Sequence, residues 1–97
     1  SRLGPHDLLI ILGLLRQQGA ALAAGRGLEL HVSRQARTWL VDQNQHPEWG
    51  ARPLRRIIQR HVREPLAEYL LSVNPPAGTA VHVDAGSDGL QFNAQGP

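Results

Sequence analysis

The segment Gly50-Ala51-Arg52-Pro53-Leu54-Arg55-Arg56 carries the densest chemistry in the chain. A glycine at 50 lets the backbone turn tightly, and Pro53 presets the φ of a first helical turn. Arg52 is thereby presented at a helix N-terminus, where free backbone N–H groups already favour anions. A guanidinium in that place makes a planar fork suited to phosphate oxygens. A carboxylate is an equal claimant, since Glu48 lies close enough in sequence to pair with Arg52 and leave no free cation. Residue types and spacing leave both readings open. Arg52, Arg56, Arg60 and Arg63 then recur at four, four and three residues, a stripe along one helix face. Such a stripe matches a phosphate backbone or an acidic protein surface. The plainer alternative is a solvated face partly neutralised by Glu64 and Glu68.

Other chemistry is thin. All ten basic residues are Arg, so a phosphate loop of the Gly-x-x-x-x-Gly-Lys-Ser/Thr kind is excluded. Every Ser has an adequate cap or turn role, and no Ser-His-Asp set is defensible. His6, His31, His46, His61 and His82 lack the i, i+4 spacing of a helical metal pair, so no metal site is predicted. His61 falls on an apolar helix face and reads as a packed, hydrogen-bonded core residue rather than a ligand. Cysteine is absent, which removes disulfides and thiolate metal sites and suits a cytoplasmic setting.

These residues need a scaffold, and 97 residues with an apolar share of 41% supply one compact core. Residues 1–4 read as a linker remnant. A helix is predicted from Pro5 to about Ala24, with Asp7 favouring its N-terminal dipole and Gly25 and Gly27 ending it. The run Leu8–Leu15 inside it is far shorter than the ~20 apolar residues of a bilayer span. Its side chains point all round the helix. Either a neighbouring domain or subunit covers Leu8, Ile11, Leu12 and Leu15, or the chain's own sheet does.

Leu28–Val32 alternates as a half-buried strand. Ser33 caps a helix to about Gln43, which Asn44 closes in the left-handed conformation. Leu54, Ile57, Ile58, His61, Val62, Leu66, Tyr69 and Leu70 recur at helical spacing, and Pro65 should kink that helix into two segments. Thr79–Ala85 and Leu90–Phe92 form a hairpin about Gly86-Ser87-Asp88-Gly89, with Val81 and Val83 inward. The predicted fold is α+β: three helices and a short three-stranded antiparallel sheet, in the order helix, strand, helix, helix, hairpin. Residues 94–97 read as a tail.

At Trp49-Gly50-Ala51-Arg52-Pro53-Leu54-Arg55-Arg56-Ile57-Ile58-Gln59-Arg60 the sequence resembles the sensor-2 segment of Clp-family AAA+ ATPases. Gly27–Ser33 is similar to the family's strand-then-cap segment, and Pro75–Phe92 to its closing hairpin. Glu64-Pro65-Leu66-Ala67 resembles the continuation found in ClpB-type disaggregases. Asn44-Gln45 departs from the Gly-Tyr common before the loop. Resemblance covers about residues 5–93 and implies the C-terminal small subdomain, or lid, of such an ATPase.

The resemblance further implies that Gly50, Ala51 and Arg52 serve ATP sensing in a parent protein, while the isolated domain binds no ATP tightly and is not an enzyme. Leu8, Ile11, Leu12, Leu15, Arg56 and Arg60 would face partners. Those partners are the parent's own large AAA+ subdomain, neighbouring subunits of a hexamer and, through the parent, unfolded or aggregated clients. No membrane or nucleic-acid partner is implied. The rival is a winged-helix nucleic-acid-binding module with the Arg-striped helix as reader. Against it, the Gln43–Pro53 connection is too long for a helix-turn-helix, and the hairpin tip carries Asp88 and no Arg.

Overall fold

The structure, a computed structural model, describes residues 5–49 and 52–96. Residues 1–4, read as a linker, fall outside them, as do Gly50 and Ala51 of the sensor-like segment. The order is α1 (Pro5–Leu15), a π turn (Arg16–Ala20), α2 (Ala21–Ala24), β1 (Glu29–Val32), α3 (Arg34–Asp42) and a 3-10 turn (Pro47–Trp49), followed by α4 (Arg52–Ile58), a second π turn (Gln59–Arg63), α5 (Glu64–Val73), β2 (Ala80–Gly86) and β3 (Gly89–Gln95). The backbone stays right-handed helical through both π turns. α1–α2 and α4–α5 are therefore two long rods, and with α3 they make the three helices expected.

Local chemistry sets the ends. The first rod stops in a Schellman motif: Leu28 N–H donates to Ala23 C=O at 2.9 Å and Gly27 N–H to Ala24 C=O at 3.0 Å. That geometry needs the positive φ of 74° at Gly27. Ser33 caps α3 by accepting the Ala36 N–H at 3.1 Å, while its hydroxyl donates to Asp84 Oδ1 at 2.7 Å. One cap thus ties helix α3 to strand β2. The left-handed asparagine is Asn74 at the end of α5, with φ 49°, and not Asn44. Asn44 is buried and its Oδ1 accepts the His46 N–H at 3.0 Å, so the side chain makes the turn and the backbone need not.

The sheet runs β1-β2-β3 and is mixed, correcting the all-antiparallel expectation. β2 and β3 are antiparallel, but β1 pairs parallel with β2, Leu30 opposite Val81 and Val32 opposite Val83. Helix α3 and the second rod intervene between β1 and β2, and a helical crossover of that kind brings the chain back in the same direction. β3 extends to Gln95, which pairs with Ala80, so two residues expected in the tail belong to the sheet. The Tyr69 hydroxyl accepts the Ala94 N–H at 2.7 Å and holds that end down.

Two apolar clusters fill the interior. Ile11, Leu15, Leu40, Leu54, Ile58 and Val62 join the three helices at one end. Ala23, Leu28, Leu66, Leu70 and Val81 join rods to sheet at the other. Pro65 does not break the second rod. Glu64 N–H reaches back five residues to Gln59 C=O, and Pro65 enters in the first turn of α5, where a proline is tolerated. The first rod widens likewise, Ala21 N–H bonding Arg16 C=O. Where the rods meet, Gly19 is buried, and a Cβ placed on it would lie 3.5 Å from Val62 Cγ1 and 2.7 Å from Leu30 Cδ2.

The Thr79 hydroxyl is buried with no hydrogen-bond partner among the described residues. An unpaired buried hydroxyl costs about 1–3 kcal/mol of desolvation. Thr79→Val keeps the branched shape and should raise stability by about 1 kcal/mol. The check is the urea midpoint, and a lower midpoint would mean that the hydroxyl has a partner.

Candidate functional site

The loop after α3 is folded by short-range bonds that shape one wall of a groove. Gln43 Nε2 donates to Trp39 C=O at 3.1 Å, and Trp49 N–H donates to His46 C=O at 2.9 Å. These bonds lay the His46 ring flat on Trp49, with centroids 3.8 Å apart and planes within 8°. His46 Nδ1 sits 3.2 Å from Glu48 Oε2, within hydrogen-bonding distance. The Glu48 backbone N–H, followed by His46, holds that carboxyl below its ordinary pKa. Glu48 is thus occupied by His46, and the alternative in which it neutralises Arg52 is not what the chain adopts.

The opposite wall is the start of the second rod. Arg52, Arg56 and Arg60 are exposed and line the same open groove of about 640 Å³ with Asn44, Trp49 and His61. Three of the four stripe residues are therefore brought together. Arg63 does not line the groove: a π turn advances fewer degrees per residue than an α turn and carries it off the row. Neither Glu64 nor Glu68 forms an ion pair among the described residues. The arrangement is a concave surface with a cationic wall, an aromatic stack opposite, and no carboxylate bonded to the three Arg residues among those described. It can hold an anion that carries a flat apolar group.

Sequence reasoning placed Trp49 and His46 in a loop and gave them no role. The signal available was an aromatic at the end of His46-Pro47-Glu48-Trp49, but only the fold brings its ring beside the Arg row. His61 is packed edge-on against Trp39 at 5.0 Å, half-buried on the groove wall, with no hydrogen bond among the described residues. It packs as expected but is not hydrogen-bonded as expected. Burial, and then the neighbouring Arg60 charge, push its pKa below the ordinary 6.5.

The pH consequence follows from that direction. Below pH 6.5 the unfolded chain takes up a proton at His61 that the folded chain resists. Stability should therefore fall from pH 6.5 downward until the lowered folded value is passed. Urea midpoints at pH 7.5 and 5.5 check this: the drop should be smaller in His61→Gln than in the wild type. Equal drops would assign the pH dependence elsewhere.

Of the apolar residues expected to face partners, Ile11 and Leu15 are buried in the chain's own core. The first rod's helical phase turns them onto Leu40, Leu54 and Ile58, so they offer no surface. Leu12 and Leu9 are exposed, and Leu8 is half-buried. No helix of the described residues is long and apolar enough to cross a membrane.

Residues 3–83 match the family model described as the C-terminal, D2-small domain, of ClpB protein. Among curated proteins, the chain is 38% identical over 91 residues to the chaperone protein ClpB of Brucella suis, covering 94% of this chain and 10% of that protein. It is 41% identical over 92 residues to chaperone protein ClpB of Corynebacterium glutamicum, covering 95% of this chain and 11% of that one. With the Staphylococcus aureus (strain COL) chaperone protein ClpB it shares 35% identity over 88 residues, covering 90% and 10%. The chain thus spans about a tenth of the length of these relatives.

Proposed function

The chain belongs to the family of C-terminal D2-small domains of ClpB proteins, and from that premise we propose that it is the nucleotide-facing lid of an ATP-dependent protein disaggregase. In this reading the parent supplies the phosphate loop and the magnesium-binding acid, and this chain supplies Arg52 to the terminal phosphate of ATP. The observation that carries it is Arg52 on the wall of an open groove, without a carboxylate bonded to it among the described residues. A guanidinium left unneutralised beside a concave surface is available to an anionic ligand. Gly50 and Ala51, which adjoin it in the sequence motif, belong to the same proposed ATP-sensing segment.

The remaining roles rest on the same premise. The lid packs on its own large AAA+ subdomain and on the next subunit of a hexamer, in the cytoplasm. Leu8, Leu12, Arg56 and Arg60 are candidates for those contacts, and unfolded or aggregated proteins are the parent's clients. Nucleotide state would then reach the ring through the angle at which the rods sit. Alone, the chain should show no ATP turnover, because one row of Arg cannot replace a phosphate loop and its metal.

ATP-coupled disaggregation by the full-length protein carrying Arg52→Ala tests the proposal, and undiminished activity would sink it. Duplex DNA serves as the counter-test for the winged-helix rival. A fluorescence titration at two salt concentrations should show no binding by the chain at moderate salt. Micromolar binding that weakens steeply with salt, and is lost in Arg56→Ala and Arg60→Ala, would favour the rival.

A further inference from the structure

His31 and His82 are remote in sequence, and their spacing predicted no metal site, yet they are direct partners in the parallel pair of β1 and β2. Their rings stack with centroids 5.1 Å apart and planes within 18°. His31 is exposed and His82 half-buried, both on the sheet face that Val81 and Val83 turn away from. Neither ring takes part in a hydrogen bond among the described residues, so the imidazole nitrogens are not committed to protein partners. The next row of this face on one side holds Glu29, on β1, and the next row on the other side holds Asp84, on β2. Each lies about 6.6 Å along its strand from the histidine row. The third strand contributes Gln91, Asn93 and Gln95 to the same face, none of them charged.

We propose that His31 and His82 form a two-imidazole site for a late first-row divalent cation of the Ni²⁺ or Cu²⁺ type. Two imidazoles on one edge with oxygen donors completing the shell suit the tetragonal preference of those ions. Metal–nitrogen distances of about 2.0–2.1 Å require the two rings to tilt toward one another from their stacked separation. Side chains on an open sheet face can make that movement by rotation about their own bonds. No third His, Cys, Asp or Glu joins them as a ready-made ligand among the described residues, so water fills the other positions. Glu29 and Asp84 act at longer range, drawing a cation to the face without ligating it. The site stands apart from the Arg-lined groove and does not depend on the function proposed for it.

The test is titration of the 97-residue chain with NiCl₂, followed by calorimetry and by paramagnetic broadening of backbone amide signals. One ion per chain is expected, with broadening centred on residues 31 and 82. His31→Asn and His82→Asn should each weaken binding tenfold or more, and the double variant should weaken it further, because each single variant keeps one imidazole as a monodentate ligand. His6→Asn should bind as the wild type does. Nickel should also raise the Tm of the wild type and of His6→Asn but not of the sheet variants, as mass action on the folded state requires. Broadening centred elsewhere in the wild type, which needs no variant to fold, would overturn the assignment. Retention of binding within twofold in either sheet variant would do the same.

Discussion

Ile58→Ala is expected to lower the stability of the chain by about 2–5 kcal/mol, the largest effect of any single truncation considered. Ile58 is 0% exposed and packs at the junction of all three helices, in one cluster with Ile11, Leu40, Leu54 and Val62. Truncation there removes apolar contact from every direction. The backbone on both sides is fixed by helical hydrogen bonds, so the surroundings cannot collapse to refill the space. A domain of this size has on the order of 5–15 kcal/mol in total, which makes the loss a large share. Urea or thermal melts followed by far-UV circular dichroism give the number, with Tm falling by roughly ten degrees or more. Ile57→Ala, one residue away but only half-buried, should cost less than half as much. A loss below half a kcal/mol at Ile58 would mean that the helix phase is wrong.

Arg52→Ala should act in the opposite sense, leaving the fold intact and damaging function. Arg52 is exposed and bonds to no carboxylate among the described residues, so its removal should leave the melting curve within experimental scatter. In the full-length protein, one charge-assisted contact to phosphate is worth about 1.5–3 kcal/mol, or tenfold and upward in the nucleotide-coupled step. Arg56→Ala and Arg60→Ala, farther along the same groove, should have smaller effects on nucleotide response. Arg63→Ala lies off the groove and provides the control. Equal effects at all four positions would point to a diffuse electrostatic surface and against a positioned sensor.

Elements that declare themselves through side-chain period were legible in the sequence. Leu54, Ile58, Val62, Leu66 and Leu70 are all buried on one face, at the four-residue spacing that placed them there. Val81 and Val83 are buried and Ser33 caps α3, again as alternation and cap chemistry dictated. Arg52 and the sensor-like segment stood out for the same reason: their chemistry is local. What escaped was set by partners distant in the chain. The direction of β1 depends on how the helical crossover returns, and nothing in Glu29–Val32 encodes it. Asn44 and Asn74 have equal intrinsic tolerance for positive φ, and only the buried Asx turn at 44 decides which one uses it. Trp49 gave no hint of its place opposite the Arg row, because that depends on the path of a loop rather than on spacing.

The two widened turns have a consequence for how this domain tolerates changes of length. A π turn is one residue more than an α-helix needs to cover the same rise, held where Ala21 bonds Arg16 in the first rod and where Glu64 bonds Gln59 in the second. Loss of one exposed residue such as Gln17 turns that five-residue bond into an ordinary four-residue one and leaves the faces before and after it in phase. The same deletion within Leu8–Leu15 would rotate Ile11 away from Leu40 and undo the core. Both rods thus carry a spare residue where they cross. Single-residue indels between related sequences should collect at these two π turns, and an alignment that forces gaps into the flanking α segments would misplace the buried positions.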